Sequence, residues 1–229
     1  MADITKTQPM DLSRNPVDKF NGIDGLSGVE PEDIQLPSLY VVQANAKAGS
    51  TNLIGGGVAK PGKLYASDEM REYDSLDVVI VSAVKGKKID SKTGEPYSLW
   101  RVILFPFADP MNPKVIYCKR TADWAGWRPF FNNLPSLGVK GLYEKIVRIT
   151  PRQDSNKGGK QYYVPEFIIV GDTPEELANY AKVAGKKLST LRDSEIDEDE
   201  NDDLTGVLKK DKNFEEQNTD EFISTDTPF

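Results

Sequence analysis

Short runs of β-branched and aromatic residues, punctuated by turn-forming Gly, Asn, Asp and Pro, set the narrowest limits on how this 229-residue chain can fold. The runs are Ser38–Asn45, Asp77–Val84, Ser98–Phe107, Lys114–Lys119, Leu142–Thr150 and Gln161–Val170. Between them, Gly55–Gly62 reads as a glycine-rich connection, Asp90–Gly94 as a turn and Asp154–Gly159 as a hairpin tip. No regular helical crossovers separate the strands, which argues against a parallel α/β sheet. The pattern predicts a mainly β fold with insertions: a β-barrel or strongly curved sheet of the small, partly open kind that binds single strands and oligosaccharides.

One C-terminal helix is expected. Thr173-Pro174-Glu175-Glu176 forms a capping box with Pro at the first helical position. Leu177, Tyr180, Ala181, Ala184, Leu188 and Leu191 then share one apolar face, and the helix should end near Arg192.

Charge gives the domain organisation. Residues 193–229 hold 14 Asp/Glu against 3 Lys, a net of −11, whereas residues 1–192 hold 26 Lys/Arg against 22 Asp/Glu, a net of +4. A basic body joined to an acidic arm suits a protein whose ligand is a polyanion and whose own tail imitates that ligand. Residues 1–35 lack sustained periodicity and read as a flexible arm, 36–192 as the folded domain and 193–229 as a disordered acidic tail. Like charges along Asp193–Asp203 should keep that run unfolded. The bland alternative for such an arm is solubility alone, but a terminal Pro228-Phe229 adds nothing to solubility and suits a partner's pocket.

Composition removes several chemistries. The chain has no histidine, which excludes His-based triads, His-ligated zinc and a His general base. The single Cys118 can form neither an internal disulfide nor a zinc cluster, and in an apolar strand it reads as a small core residue. The first 20 residues contain no apolar core of a signal peptide, and no apolar run is long enough to span a bilayer. A cytoplasmic protein with no membrane partner is expected. Gly57–Leu64 nearly matches a phosphate-binding loop, but Leu64 replaces the magnesium-binding hydroxyl and no helix signal follows. Asp74, Asp77, Asp90 and Glu95 show no metal-nuclease spacing, so neither catalysis, metal nor cofactor is expected.

Aromatic residues interleaved with cations mark the candidate site. Lys119, Arg120, Trp124, Trp127, Arg128 and Phe130, followed by Phe131, combine rings on which bases stack with charges that neutralise phosphates. The loop carrying Trp124 and Trp127 reads as poor strand and poor helix, so it either plugs the barrel or presents stacking rings. A second cluster flanks the hairpin tip: Arg148, Arg152, Lys157, Lys160, Tyr162 and Tyr163. Those lysines equally suit a solvated edge that resists aggregation. Lys60 and Lys63 add phosphate contacts from the glycine-rich loop, and Lys85, Lys87 and Lys88 form a third basic patch.

Taken with its ending, the chain resembles single-stranded-DNA-binding proteins of bacteria and their phages. The residues carrying that likeness are the acids through Asp220, Glu221 and Asp226 and the Pro228-Phe229 tip. Leu36–Gln43 with Lys60-Pro61-Gly62 is also similar to uncharacterised prophage proteins. The resemblance implies an oligonucleotide-binding (OB) barrel that binds single-stranded DNA independently of sequence and protects it in phage replication or recombination, within the host bacterium's cytoplasm. It implies further that the tail occupies the DNA groove when DNA is absent. Replication or recombination proteins would be recruited through Asp226, Pro228 and Phe229, and a homo-oligomer is compatible with it. A phage structural or host-interaction adaptor with an acidic docking arm is the alternative, and a small nuclease the third.

Overall fold

The computed structural model describes residues 36–43, 60–90, 93–119, 122–156, 158–159, 161–188 and 197–203. Its spine is the dense apolar run of the sequence. Strand β4 (Leu76–Ile89) is buried on both faces from Val78 to Val84, which explains why β-branched residues occupy successive rather than alternate positions. Val78, Ile80 and Ala83 enter the larger of two cores, while Val79 and Val81 enter the smaller. A register irregularity between Ile80 and Ser82 sits between these stretches.

Around β4 lie β5 (Pro96–Pro106), β6 (Lys114–Lys119), β7 (Lys145–Ser155) and β8 (Gln161–Asp172), all antiparallel, in the order β6-β5-β4-β7-β8. The expected strands after Ser98, Lys114 and Gln161 are all present. The run from Leu142 begins with a 3-10 turn, Leu142–Glu144, before β7 starts. A second antiparallel sheet holds three short strands, β1 (Leu39–Val41), β2 (Leu64–Ala66) and β3 (Arg71–Tyr73). The expected strand Ser38–Asn45 is therefore shorter than its sequence pattern.

The fold is mainly β, with two antiparallel sheets rather than one closed ladder. The small sheet spans the two outer strands of the large one. Ser38 bridges Val115 of β6, and at the other end the Gln43 amide donates to Tyr163 O (2.8 Å) and accepts from Tyr163 N (3.0 Å) on β8. Lys114 ties the hairpin β2–β3 to β6. It is fully buried, and its ammonium lies 2.9 Å from Asp68 and 2.7 Å from Glu69. Burial acts to raise both carboxyls, but hydrogen bonds and charge from Lys114 outweigh it and hold them below their ordinary values. Tyr73 moves the other way, pushed up to about 12 by burial and then by its hydrogen bond to Glu69.

Among the described residues the α-helices are α1 (Arg128–Asn133) and α2 (Glu175–Leu188). Leu177, Ala181, Ala184 and Leu188 of α2 are buried against Val79, Val81, Ile103 and Phe105. Gly185 permits that contact, because a Cβ there would stand 2.5 Å from Val81 O. The Thr173 hydroxyl is buried without a hydrogen-bond partner, so the expected reciprocal cap is not formed. Leu191 and Arg192 lie outside the described residues. No described helix is long and apolar enough to cross a membrane.

The acidic run departs from expectation. Asp197–Asp203 is a strand, β9, paired antiparallel with β4, with Lys87 opposite Asp197, Gly86 opposite Glu198 and Val84 opposite Asp203. Self-repulsion is overcome because β7 covers β4 only from Leu76 to Val79, leaving backbone groups further along that edge to pair. Lys85, Lys87 and Lys88 supply the opposite charge there.

Candidate functional site

The segment between β6 and β7 is helical, not the irregular loop its composition suggests. Asp123–Trp127 forms a π-helical turn that runs directly into α1, whose second residue, Pro129, has no N–H to give the preceding turn; the Ala125 carbonyl there accepts from Arg152 instead. Gly126 is required by packing: a Cβ there would lie 2.1 Å from Pro165 O, so only glycine lets this turn rest on β8.

The wide turn sends its two tryptophans to opposite fates. Trp124 is 63% exposed, whereas Trp127 is 0% exposed and packs among Trp100, Phe130, Phe131 and Phe167. The assignment of Trp127 to a nucleic-acid surface is thus corrected: its ring is core, inaccessible to a base. Its Nε1 is buried without a protein partner. Arg128 lies over the exposed Trp124 ring at 3.9 Å from the centroid, and Asp123 holds that guanidinium at 2.6 Å. Asp123 is itself buried, with its other oxygen lacking a protein partner. Burial, and then the Asp123 charge, push the Cys118 thiol far up, so it stays neutral and unreactive.

A groove of about 650 Å³ opens between this helical segment and the β7–β8 hairpin. Phe130, Asn133, Lys145, Arg152, Glu166 and Ile168 are among its walls. Arg152 crosses it, donating to Ala125 O at 3.0 Å while its Nε stands 3.7 Å from Glu166 Oε1. Ladder register places Arg148, Arg152, Tyr162, Glu166 and Ile168 on one face of the hairpin. Arg148 is engaged by both oxygens of Asp77, at 2.7 and 2.8 Å, which raises its already high pKa. The Tyr162 phenol is pushed up by desolvation and by the Asp154 charge, so it remains a neutral ring.

Of the residues expected from sequence, the structure therefore gathers Trp124, Arg128, Phe130, Arg152 and Tyr162 around the π-turn and the hairpin. Lys119 is exposed at the end of β6, on the strand leading into that turn. Gly62 sits against the Tyr163 ring and brings the Lys60–Lys63 turn beside β8. Lys60 is exposed there, but Lys63 is paired with Asp74. Arg120, Lys160, Asp226, Pro228 and Phe229 lie outside the described residues. Lys145, Asn133 and Glu166 were missed. Glu166 had left a signal, being the single acidic residue in Tyr162–Val170. Among the described residues no acidic or sulfur cluster could hold a metal.

No known family model matches the chain, and no curated protein or solved structure is significantly similar to it.

Proposed function

We propose that the chain binds single-stranded DNA without enzymatic activity, in phage replication or recombination, and that its acidic tail competes with DNA and recruits partner proteins. The observation that carries this reading is the exposed Trp124 ring with Arg128 on its face, beside the groove that Arg152 crosses. Bases stack on exposed rings whatever their sequence, and neighbouring cations take the phosphates.

Two features support it. The five strands β4 to β8, with a helical segment between the third and fourth, fit a partly open oligonucleotide-binding barrel, and hairpin-type loops join its first two and last two strands. The acidic strand β9 lies along the part of β4 that carries Lys85 and Lys87, as expected of a segment that imitates a polyanion. The tip residues Asp226, Pro228 and Phe229 remain the proposed contact for replication or recombination proteins.

The test is a titration of poly-dT against intrinsic tryptophan fluorescence at two salt concentrations. Quenching that weakens at higher salt, and that disappears with Trp124→Ala, supports the reading. Failure of any oligonucleotide to bind would return the adaptor function to first place.

A further inference from the structure

We infer that Glu166 makes the groove discriminate among bases, favouring those with an exocyclic amino group, cytosine above all, over thymine; this rests on the single-strand reading above. Glu166 faces the groove from β8, on the same side of the hairpin as Arg152 and Ile168. Its side chain is 40% exposed, so a ligand can reach it. Arg152 does not exhaust it. At 3.7 Å the pair attract by charge, but the separation exceeds a hydrogen bond, and the guanidinium is anchored instead on Ala125 O. Both carboxylate oxygens thus keep their capacity to accept.

A carboxylate only accepts hydrogen bonds. Cytosine offers it the N4 amino group and adenine its N6 amino group, whereas thymine presents the O4 carbonyl at the equivalent position, where two acceptors repel. A base held by Phe130 and Ile168, its phosphate drawn by Arg152, would turn one edge toward Glu166 or Asn133. Asn133 both donates and accepts and so discriminates little. Among the groove's side chains Glu166 is the one that only accepts, while Arg152 is anchored on Ala125 O and Lys145 is paired with Asp172. Such a bias adds to stacking rather than replacing it, so strands of any sequence still bind.

The experiment compares oligo-dC with oligo-dT of equal length on the full chain and on Glu166→Gln, at fixed salt and pH 8. The measured quantity is the change in the dC:dT affinity ratio, because intrinsic differences between the two homopolymers cancel. Gln can donate as well as accept, so the ratio should fall by about fivefold or more in the variant. Trp124→Ala should weaken both oligonucleotides and leave the ratio alone. Both strands bound with an unchanged ratio in Glu166→Gln would overturn the inference and spare the single-strand reading. Neither strand bound by the unaltered chain would overturn that reading itself, and this inference with it.

Discussion

Trp124 and Trp127 stand three residues apart and belong to different parts of the molecule. Replacing Trp127 by Ala empties a fully buried site among four aromatic rings and should cost about 3–5 kcal/mol, read as a lower urea midpoint. Trp124→Ala should leave stability nearly intact, losing a cation–π contact worth about 0.5–1 kcal/mol. In oligonucleotide titration it should instead weaken binding by about 1–3 kcal/mol. Equal effects of the two substitutions on affinity, once unfolding is allowed for, would deny Trp124 its role. The cluster of rings and cations was legible in the sequence, but the division of labour within it was not. Gly126 and Pro129 lower helix propensity, and the packing that requires glycine here is with Pro165, 39 positions further along. No local pattern contains that contact. The same distance hid Glu166, whose position in the groove depends on the π-turn packing against β8.

At the level of elements, the strands legible in the sequence were those buried by β-branched runs. The short β2 and β3 escaped because three residues each carry no periodicity. Their hairpin is held by Lys114, and that arrangement predicts an asymmetry. Removing both carboxylates with Asp68→Ala and Glu69→Ala strands a buried ammonium and should cost about 3–5 kcal/mol. Lys114→Met keeps the volume, leaves two partly solvated carboxylates and should cost far less, both measured by urea unfolding. Since Asp68 and Glu69 titrate lower folded than unfolded, the folded chain binds fewer protons around their ordinary range. Stability from this pairing is complete above about pH 5 and is lost as pH falls through the depressed folded values. Lys114→Met should flatten that acid limb; an identical acid profile in the variant would assign the acid sensitivity elsewhere. β9 is hidden for the opposite reason to β2: composition argues against a strand, and the edge left by β7, with the lysines of β4 along it, explains one. Lys85→Glu with Lys87→Glu should detach it, seen as faster hydrogen exchange of the 197–203 amides while the β4–β5 ladder stays protected.

Across the whole molecule, the opposed charges of body and arm would make the proposed affinity for single strands a difference between two attractions. Deleting the residues after Arg192 removes a net −11 and takes β9 from the β4 edge, so affinity for single strands should rise. The gain should be largest at low salt and shrink as the Debye length falls from about 30 Å at 0.01 M to about 10 Å at 0.1 M. Contacts made by the body respond to salt in their own way: each phosphate neutralised adds roughly 0.7 to the slope of log K against log salt for a single strand. Arg152→Ala, a variant that leaves the tail intact, should therefore lower that slope by about one contact. The two manipulations separate the tail from the groove. A tail that competes for the same phosphates raises affinity on removal and changes its salt dependence, because β9 must be displaced before the lysines of β4 are free to bind. A tail that serves solubility alone leaves both quantities where they were. Unchanged affinity at every salt concentration after truncation would thus remove the tail from the binding equilibrium, while a salt slope of zero in the full chain would remove nucleic acid as the ligand.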